Sequence, residues 1–183
     1  MKEWIGYYED ILPDEISNGI MNIKDGWKPS TYSNHEGNIG AKKSRERVIM
    51  DEIYIEQYAP FYNDLFKASG KVLVAYKKKH PYMKYMSSVR CTNFRVNKYE
   101  EGGFMSEHAD AIHHSHGQHY GFPEVSILLF LNEEYEGGEF IVADTMYKPK
   151  KNSAIIFPAN FMFPHYVNKV TKGTRYSIIT WLM

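Results

Sequence analysis

The sequence predicts a mainly β fold with supporting helices (α+β), in which two antiparallel sheets form a barrel or jelly roll. Two observations support this prediction. From about residue 86 onward, short apolar or alternating segments follow one another with turn residues between them and no helical pattern. Before that point, apolar residues recur at the spacing of an amphipathic helix. We therefore expect the N-terminal helices to pack on one of the sheets.

Strands are predicted throughout the C-terminal half. Residues 92–99 (TNFRVNKY) alternate between apolar and polar side chains, and residues 124–132 (EVSILLFLN) are almost continuously apolar. The further predicted strands are EFIVA, SAIIF, PHYVNKV and RYSIITWLM. The connections EEYEGG, YKPKKN, FPANFMF and TKGT contain Gly, Pro or Asn, which turns favour.

Two helical regions are predicted in the N-terminal half. The first begins at Pro13, and its apolar face contains Ile16, Ile20 and Ile23. The second runs from about Asp51 to Lys79 with a restart at Pro60, and its apolar stripe contains Leu65, Val72, Leu73 and Tyr76. Both apolar faces are interpreted as core packing.

Length and composition limit the function classes. A chain of 183 residues without a compositional break predicts one domain, residues 1–183. Its 22 basic and 22 acidic residues balance, which gives no electrostatic reason to expect a nucleic-acid or membrane partner. The single cysteine, Cys91, fits a reducing compartment. Because no leader-like segment and no apolar run of about 20 residues is present, we expect a cytoplasmic protein.

A metal site is predicted in the stretch FMSEHADAIHHSHGQHY, residues 104–120, which contains five of the eight histidines. If the start of this stretch is extended, His108 and Asp110 lie two residues apart and project from the same strand face. An imidazole nitrogen and a carboxylate oxygen can then converge on one metal ion. The His-X-Asp motif is not specific by itself.

A third ligand and a carboxylate-binding pair are predicted near the C-terminus. An antiparallel hairpin that turns at residues 171–172 would place Ser177 opposite His165. Arg175 then points to the same face as Ser177, and it can bind a distal carboxylate of a cosubstrate in a two-point geometry. Two histidines and one carboxylate leave open coordination positions, as in non-haem Fe(II) oxygenases.

The ordered set HAD, EGGEF, PHYV and GTRYSIITWL resembles the iron(II)- and 2-oxoglutarate-dependent dioxygenase superfamily, in particular its prolyl 4-hydroxylase-like branch. The resemblance covers about residues 86–183. It implies a double-stranded β-helix with residues 86–183 as the catalytic core and residues 1–85 as a helical lead-in and support. It also implies hydroxylation of prolyl residues in a peptide or protein, using Fe(II), 2-oxoglutarate and O2, with ascorbate as reductant. Succinate and CO2 would be released.

The resemblance also implies roles for individual residues. The implied iron ligands are His108, Asp110 and His165. Arg175 would pair with the far carboxylate of 2-oxoglutarate, and Ser177 would add a hydrogen bond in an Arg-X-Ser pattern. Tyr99 matches a tyrosine that often reaches the cosubstrate. Phe130 stands where oxygen-sensing prolyl hydroxylases have a tyrosine in contact with the cosubstrate, so that hydrogen bond is absent or comes from another residue.

The surroundings of the site are predicted less specifically. Four histidines beyond the His-X-Asp motif are interpreted as part of a polar lid at the pocket mouth, with substrate contact as the alternative. These are His113, His114, His116 and His119. Four aromatic side chains are candidate walls that would exclude water, with core packing as the equal alternative for each: Phe157, Phe161, Phe163 and Trp181.

Three alternatives remain open from the sequence. The same chemistry could act on a free amino acid, another small molecule or an alkylated nucleobase. A jelly-roll binding module without activity is the second alternative. The third is a zinc hydrolase with the same three ligands, in which Arg175 and Ser177 would have no purpose.

Overall fold

The computed structural model describes residues 1–34, 37–38, 40–86, 90–111 and 122–183. Its N-terminal elements are β1 (Gly6–Tyr8), α1 (Asp14–Met21), β2 (Lys28–Pro29), β3 (Ser33–Asn34), β4 (Gly37–Asn38), α2 (Ala41–Ser44), β5 (Val48–Ile49), β6 (Asp51–Ile55) and α3 (Tyr62–Lys79). Two 3-10 helices span Lys2–Trp4 and Pro81–Tyr85. Among the described residues, no helix has both the length and the apolar character needed to cross a membrane.

The C-terminal half consists of strands. They are β7 (Phe94–Tyr99), β8 (Phe104–His108), β9 (Val125–Phe130), β10 (Tyr135–Gly137), β11 (Phe140–Val142), β12 (Thr145–Tyr147), β13 (Ser153–Pro158), β14 (His165–Val167), β15 (Val170–Gly173) and β16 (Arg175–Leu182). The predicted strand segments are therefore confirmed, with boundaries that are unchanged or shifted by a few residues.

Two antiparallel sheets form the body of the fold. The larger has the strand order β1-β13-β9-β16-β7-β6-β2, and the smaller has the order β12-β11-β14-β8-β5. Each sheet joins strands that are distant in sequence, as a jelly roll requires. The predicted mainly β architecture of two sheets with supporting helices is confirmed.

The larger sheet is covered on both faces, which explains the continuous apolar run of β9. Ile127 and Leu129 point to a cluster that contains Ile20 of α1 and Leu65 and Val72 of α3. The alternate side chains of β9 point to a second cluster between the two sheets. Because successive strand residues point to opposite faces, a strand with two buried faces has no position that faces solvent. The predicted packing of the helices on one sheet is confirmed.

The predicted helix from Asp51 to Lys79 is wrong in its first part. Residues 51–55 form β6, which pairs with β7 in the larger sheet. The helix α3 begins only at Tyr62, after a residue with φ of 69°. The partner strand of β6 lies about 40 residues away in sequence, so local apolar spacing could not reveal the pairing. The N-terminal half therefore contributes strands to both sheets as well as helices.

The predicted hairpin between His165 and Ser177 is also wrong. His165 lies on β14, which pairs with β8 and β11 in the smaller sheet. Ser177 lies on β16, which pairs with β7 and β9 in the larger sheet. Between them, β15 pairs with β10. The chain therefore crosses from one sheet to the other, and the two residues face each other across the space between the sheets.

Candidate active site

The three predicted metal ligands converge in the structure. His108 ends β8 and lies directly opposite His165, the first residue of β14. Asp110 lies two residues after the end of β8. Its Oδ1 is 3.7 Å from His108 Nε2, and its Oδ2 is 3.4 Å from His165 Nε2. One ligand atom from each residue lies within 4.8 Å of the other two. This is the one group of its kind in the part of the chain that the structure describes.

Both imidazole rings are oriented by the backbone. His108 Nδ1 lies 2.8 Å from the carbonyl oxygen of Ser106, and His165 Nδ1 lies 3.1 Å from the carbonyl oxygen of Phe163. A carbonyl oxygen only accepts, so each Nδ1 carries the proton and donates it. This tautomer leaves each Nε2 lone pair directed toward Asp110, which is the arrangement that metal-binding histidines usually have. The two nitrogen donors and one carboxylate donor fit Fe(II) with open coordination positions.

Asp110 is held by a residue that the sequence analysis missed. The hydroxyl of Ser126, on β9, is fully buried and donates a hydrogen bond of 2.6 Å to Asp110 Oδ2. The backbone N–H of Ala111 donates to the carbonyl of Ala159, which anchors the segment after β8. The one available signal was a hydroxyl residue inside the apolar run VSILLF. Ser126 therefore links the larger sheet to a ligand carried by the smaller one.

The electrostatics favour a neutral imidazole at His108 and an ionised Asp110. Burial and repulsion from His165 lower the pKa of His108 to about 4. Burial opposes ionisation of Asp110, but the two histidines and the Ser126 hydroxyl outweigh it and hold the pKa of Asp110 below its ordinary value. Burial also opposes protonation of His165, but the Asp110 carboxylate outweighs it and raises the pKa of His165. Asp110 is therefore a carboxylate at neutral pH.

Arg175 is a buried cation without an anionic partner. It is fully buried, and its Nη1 donates a hydrogen bond of 2.9 Å to the Ser177 hydroxyl. Its Nε and Nη2 are buried and have no hydrogen-bond partner among the described residues, and none of these forms a salt bridge with it. An unpaired buried charge is destabilising by about several kcal/mol. The arrangement therefore fits an anionic ligand that supplies the missing acceptors.

Aromatic rings surround this guanidinium. Its Cζ lies 5.0 Å from the ring centroid of Tyr99, which is its neighbour on β7, and 5.4 Å from that of Phe130. Phe130 has no hydroxyl to offer, but Tyr135 does. The Tyr135 hydroxyl is buried and interacts electrostatically with Arg175, but it makes no hydrogen bond of normal geometry among the described residues. Gly138, whose φ is 64°, leaves room for both side chains, because a Cβ there would lie 3.0 Å from Arg175 Cδ and 3.2 Å from Tyr135 Cε2.

The metal cluster and the Arg175 side of the larger sheet share one cavity. His108, Asp110 and His165 line it together with Ser177 and Tyr99. The cavity has a volume of about 30 Å³, which is far below the roughly 300 Å³ of a small-molecule pocket. A bound cosubstrate therefore requires lining side chains to move outward. The predicted shared pocket for the third ligand and Ser177 is present, although no hairpin creates it.

Of the four candidate wall residues, one lines the cavity, two are packed in the core beside His165, and one is exposed. The ring of Phe157 lies 5.0 Å from that of His165, and Phe163 stacks on Phe157. Trp181 lines the cavity. Phe161 is 84% exposed, so its prediction as a wall is wrong. It lies in the turn before β14, where its side chain points to solvent.

Four predicted residues lie outside the part of the chain that the structure describes. They are the loop histidines His113, His114, His116 and His119. Their interpretation as a polar lid stays a prediction.

Sequence comparison places the second half of the chain in a known family. Residues 94–183 match the 2OG-Fe(II) oxygenase superfamily. Over 95 residues the chain is 41% identical to a PKHD-type hydroxylase of Delftia acidovorans. The match covers 48% of this chain and 41% of that protein. The chain therefore spans less than half the length of this curated relative.

Solved structures extend the likeness in fold to nearly the whole chain. A prolyl-4-hydroxylase of Pseudomonas putida superposes with a TM-score of 0.72 and 15% identity, covering 98% of this chain and 91% of that one. A prolyl hydroxylase from Trichoplax adhaerens, solved with a hypoxia inducible factor peptide fragment, superposes with a TM-score of 0.67 and 13% identity, covering 99% and 84%. At these identities the likeness concerns the fold alone. Residues 94–183 therefore carry the sequence pattern of the 2OG-Fe(II) oxygenase superfamily, and nearly the whole chain has the jelly-roll fold of solved prolyl hydroxylases.

Proposed function

We propose that this chain is an Fe(II)- and 2-oxoglutarate-dependent dioxygenase that hydroxylates prolyl residues of a peptide or protein and releases succinate and CO2. Residues 86–183 would be its catalytic core, with residues 1–85 in support. The observation that carries the proposal is that a His–Asp–His cluster and the side chains around the unpaired Arg175 line the same space between the sheets. A zinc hydrolase would leave this buried cation without a function.

The metal would be held by His108, Asp110 and His165. Both histidines direct Nε2 toward Asp110, and Asp110 presents a carboxylate that is already ionised. When bound, Fe(II) together with O2 and 2-oxoglutarate supplies the oxidising power for an unactivated C–H bond. The protein orients the ligands through the Ser106 and Phe163 carbonyls and the Ser126 hydroxyl.

The cosubstrate would be held by Arg175 and Ser177. The free Nε and Nη2 of Arg175 can donate two parallel hydrogen bonds to the distal carboxylate of 2-oxoglutarate. The bond from Arg175 to Ser177 fixes the plane of the guanidinium, and Tyr99 packs against it. The apolar walls formed by Phe140 and Phe157 exclude water from the same space.

Two considerations favour a proline-containing peptide or protein as the substrate. Relatives and structural neighbours are named as prolyl hydroxylases, and one neighbour was solved with a peptide fragment. In addition, a proline-rich peptide is already extended, so it loses little conformational entropy when it binds across a barrel opening.

The proposal is tested by mass spectrometry of proline-rich peptides after incubation with protein, Fe(II), 2-oxoglutarate and ascorbate. We expect a gain of one oxygen atom on proline, together with formation of succinate. Asp110→Ala should abolish both iron binding and turnover, because it removes the one anionic ligand. Asp64→Ala is the matched control, since Asp64 is exposed on the first turn of α3.

Two outcomes would contradict the proposal. Unmodified peptides, together with oxidation of free amino acids, other small molecules or alkylated bases, would leave the iron chemistry and remove the peptide substrate. Retention of iron by Asp110→Ala would show that the ligand assignment is wrong.

A further inference from the structure

A second arginine, Arg95, lies on β7 in a row of side chains that point into the space between the sheets. It is at the end of β7 that is distant from Arg175. On β7, Arg95, Asn97 and Tyr99 all line the cavity between the sheets. Tyr99 pairs with Arg175 on β16, whereas Arg95 pairs with Ile179, four residues further along. Four residues of strand correspond to about 13 Å. The two arginines therefore mark the two ends of the row, with the metal cluster facing the space between them.

The guanidinium of Arg95 leans away from Arg175. Its Cζ lies 5.2 Å from the ring of Trp181, which is further from Arg175 along β16 than Ile179 is. Contact with an indole face fixes the plane of a guanidinium. The five-carbon chain of 2-oxoglutarate is much shorter than the separation of the two strand positions. A cosubstrate bound by Arg175 therefore leaves Arg95 to a different ligand.

Arg95 has unused capacity for hydrogen bonds. Its one described carboxylate neighbour is Glu52, and the distance from Arg95 Nη1 to Glu52 Oε2 is 3.8 Å, which is too long for a hydrogen bond. The Tyr54 hydroxyl also interacts with the guanidinium. The Nε of Arg95 and the Oδ1 of Asn97 are buried, and neither has a hydrogen-bond partner among the described residues. Arg95 is a cation beside the candidate metal site, and its carboxylate neighbour Glu52 is too far away for a hydrogen bond. Its guanidinium can therefore bind an additional anion.

This end of the row is partly exposed and lies next to a surface groove. The side chain of Arg95 retains 14% of its exposure, whereas Arg175 has none. A surface groove of about 720 Å³ lies at the same end of β7 and β16, where Thr92, Asn93, Trp181 and Met183 form part of its lining. That volume is within the usual range for ligand sites. Trp181 borders both the groove and the inner cavity.

We propose that Arg95, oriented by Trp181, binds a carboxylate of the substrate to be oxidised, so that this substrate is acidic close to its reacting carbon. The inference rests on the proposed peptide hydroxylation and narrows it to peptides with an acidic side chain or a terminal carboxylate near the target proline. Glu52 competes weakly for the same guanidinium in the absence of substrate.

The experiment measures peptide binding by calorimetry to the protein loaded with Fe(II) and 2-oxoglutarate under anaerobic conditions. Three versions of one proline-containing octapeptide are compared: Glu next to proline with an amidated C-terminus, Gln with an amidated C-terminus, and Gln with a free C-terminal carboxylate. At least one acidic version should bind about tenfold more tightly than the neutral version, as expected for a hydrogen-bonded ion pair. The version that gains shows which carboxylate is recognised.

Variants identify the residue responsible. Arg95→Met should abolish the preference for the acidic peptide, Arg95→Lys should retain part of it, and Glu52→Gln should increase it. Arg45→Met is the matched control, because Arg45 is exposed and lines a different surface pocket. In Arg95→Met the affinity for 2-oxoglutarate should stay within about twofold of the parent, which also shows that the variant is folded.

The outcomes separate this inference from the proposed function. Equal binding and hydroxylation of all three peptides, or an acidic preference that survives Arg95→Met, would overturn the role of Arg95 and leave prolyl hydroxylation standing. If no peptide binds but N-acetylproline binds better than N-acetylprolinamide in an Arg95-dependent manner, the carboxylate site is supported and the peptide substrate is wrong.

Discussion

Replacing Ser126 by alanine should weaken metal binding without touching a ligand. The Ser126 hydroxyl donates its 2.6 Å hydrogen bond to Asp110 Oδ2, the oxygen that also lies 3.4 Å from His165 Nε2. Ser126 and Asp110 are both buried, so water cannot replace the lost donor. A hydrogen bond to a charged group contributes about 1.5–3 kcal/mol. This corresponds to a loss of about 10–100-fold in affinity, in agreement with the usual effect of residues that orient metal ligands.

The assay is an anaerobic titration with Fe(II) in which binding is measured by calorimetry. The parent and the variant are compared at one pH. Ser153→Ala is the matched control, because Ser153 is equally buried and its hydroxyl also makes a 2.6 Å hydrogen bond, but to the carbonyl of Lys150. Ser126 pairs with Phe157 on β13, and Ser153 lies four residues from Phe157 along that strand. Four residues of strand correspond to about 13 Å, so Ser153 is distant from Ser126. The control should bind iron like the parent.

Two results would refute this reasoning. If Ser126→Ala binds Fe(II) within twofold of the parent, the hydroxyl does not orient Asp110 in the metal-bound state. If Ser153→Ala loses as much affinity as Ser126→Ala, the effect reflects general loosening of the sheet. Circular dichroism of both variants gives the comparison of folding that this second case requires.

Two further predictions concern the cosubstrate end of the pocket, and a third concerns a glycine of β10. Arg175→Lys should lower the affinity for 2-oxoglutarate by about tenfold or more and that for Fe(II) much less, since lysine keeps the charge but loses the planar two-point geometry; equal cosubstrate affinity in calorimetry would make Arg175 structural. Tyr135→Phe should weaken 2-oxoglutarate binding by about tenfold while the ligand-free protein stays at least as stable in urea, because the buried hydroxyl has no partner to lose; unchanged cosubstrate affinity would contradict this role. Gly137→Ala should lower the melting temperature by at least about 4 °C, since φ is 70° and the new Cβ would lie 2.3 Å from the Lys169 carbonyl oxygen, whereas Gly70→Ala on the exposed face of α3 should raise it slightly.

The sequence by itself determined the strands and the chemistry of the ligands. Alternation along 92–99 and 175–183 identifies which side chains share a face, because the side-chain period of a strand is fixed by its covalent geometry. For the same reason, the spacing of His108 and Asp110 predicted two ligands on one side. The helix α1 was also predicted from local spacing, since its isoleucines pack on the sheet wherever that sheet comes from.

Only the tertiary structure decided which strands meet. Alternation identifies faces but not partners, so the sequence could not show that His165 pairs with His108 while Ser177 belongs to the other sheet. The strand β6 was missed because its hydrogen bonds go to β7, far away in sequence. Ser126 and Arg95 acquire their importance in the same way. A serine in an apolar run and an arginine in an alternating strand are ordinary in sequence. Only the packing of the two sheets places Ser126 beside Asp110. The same packing places Arg95 beside Trp181, with an Nε that has no hydrogen-bond partner among the described residues.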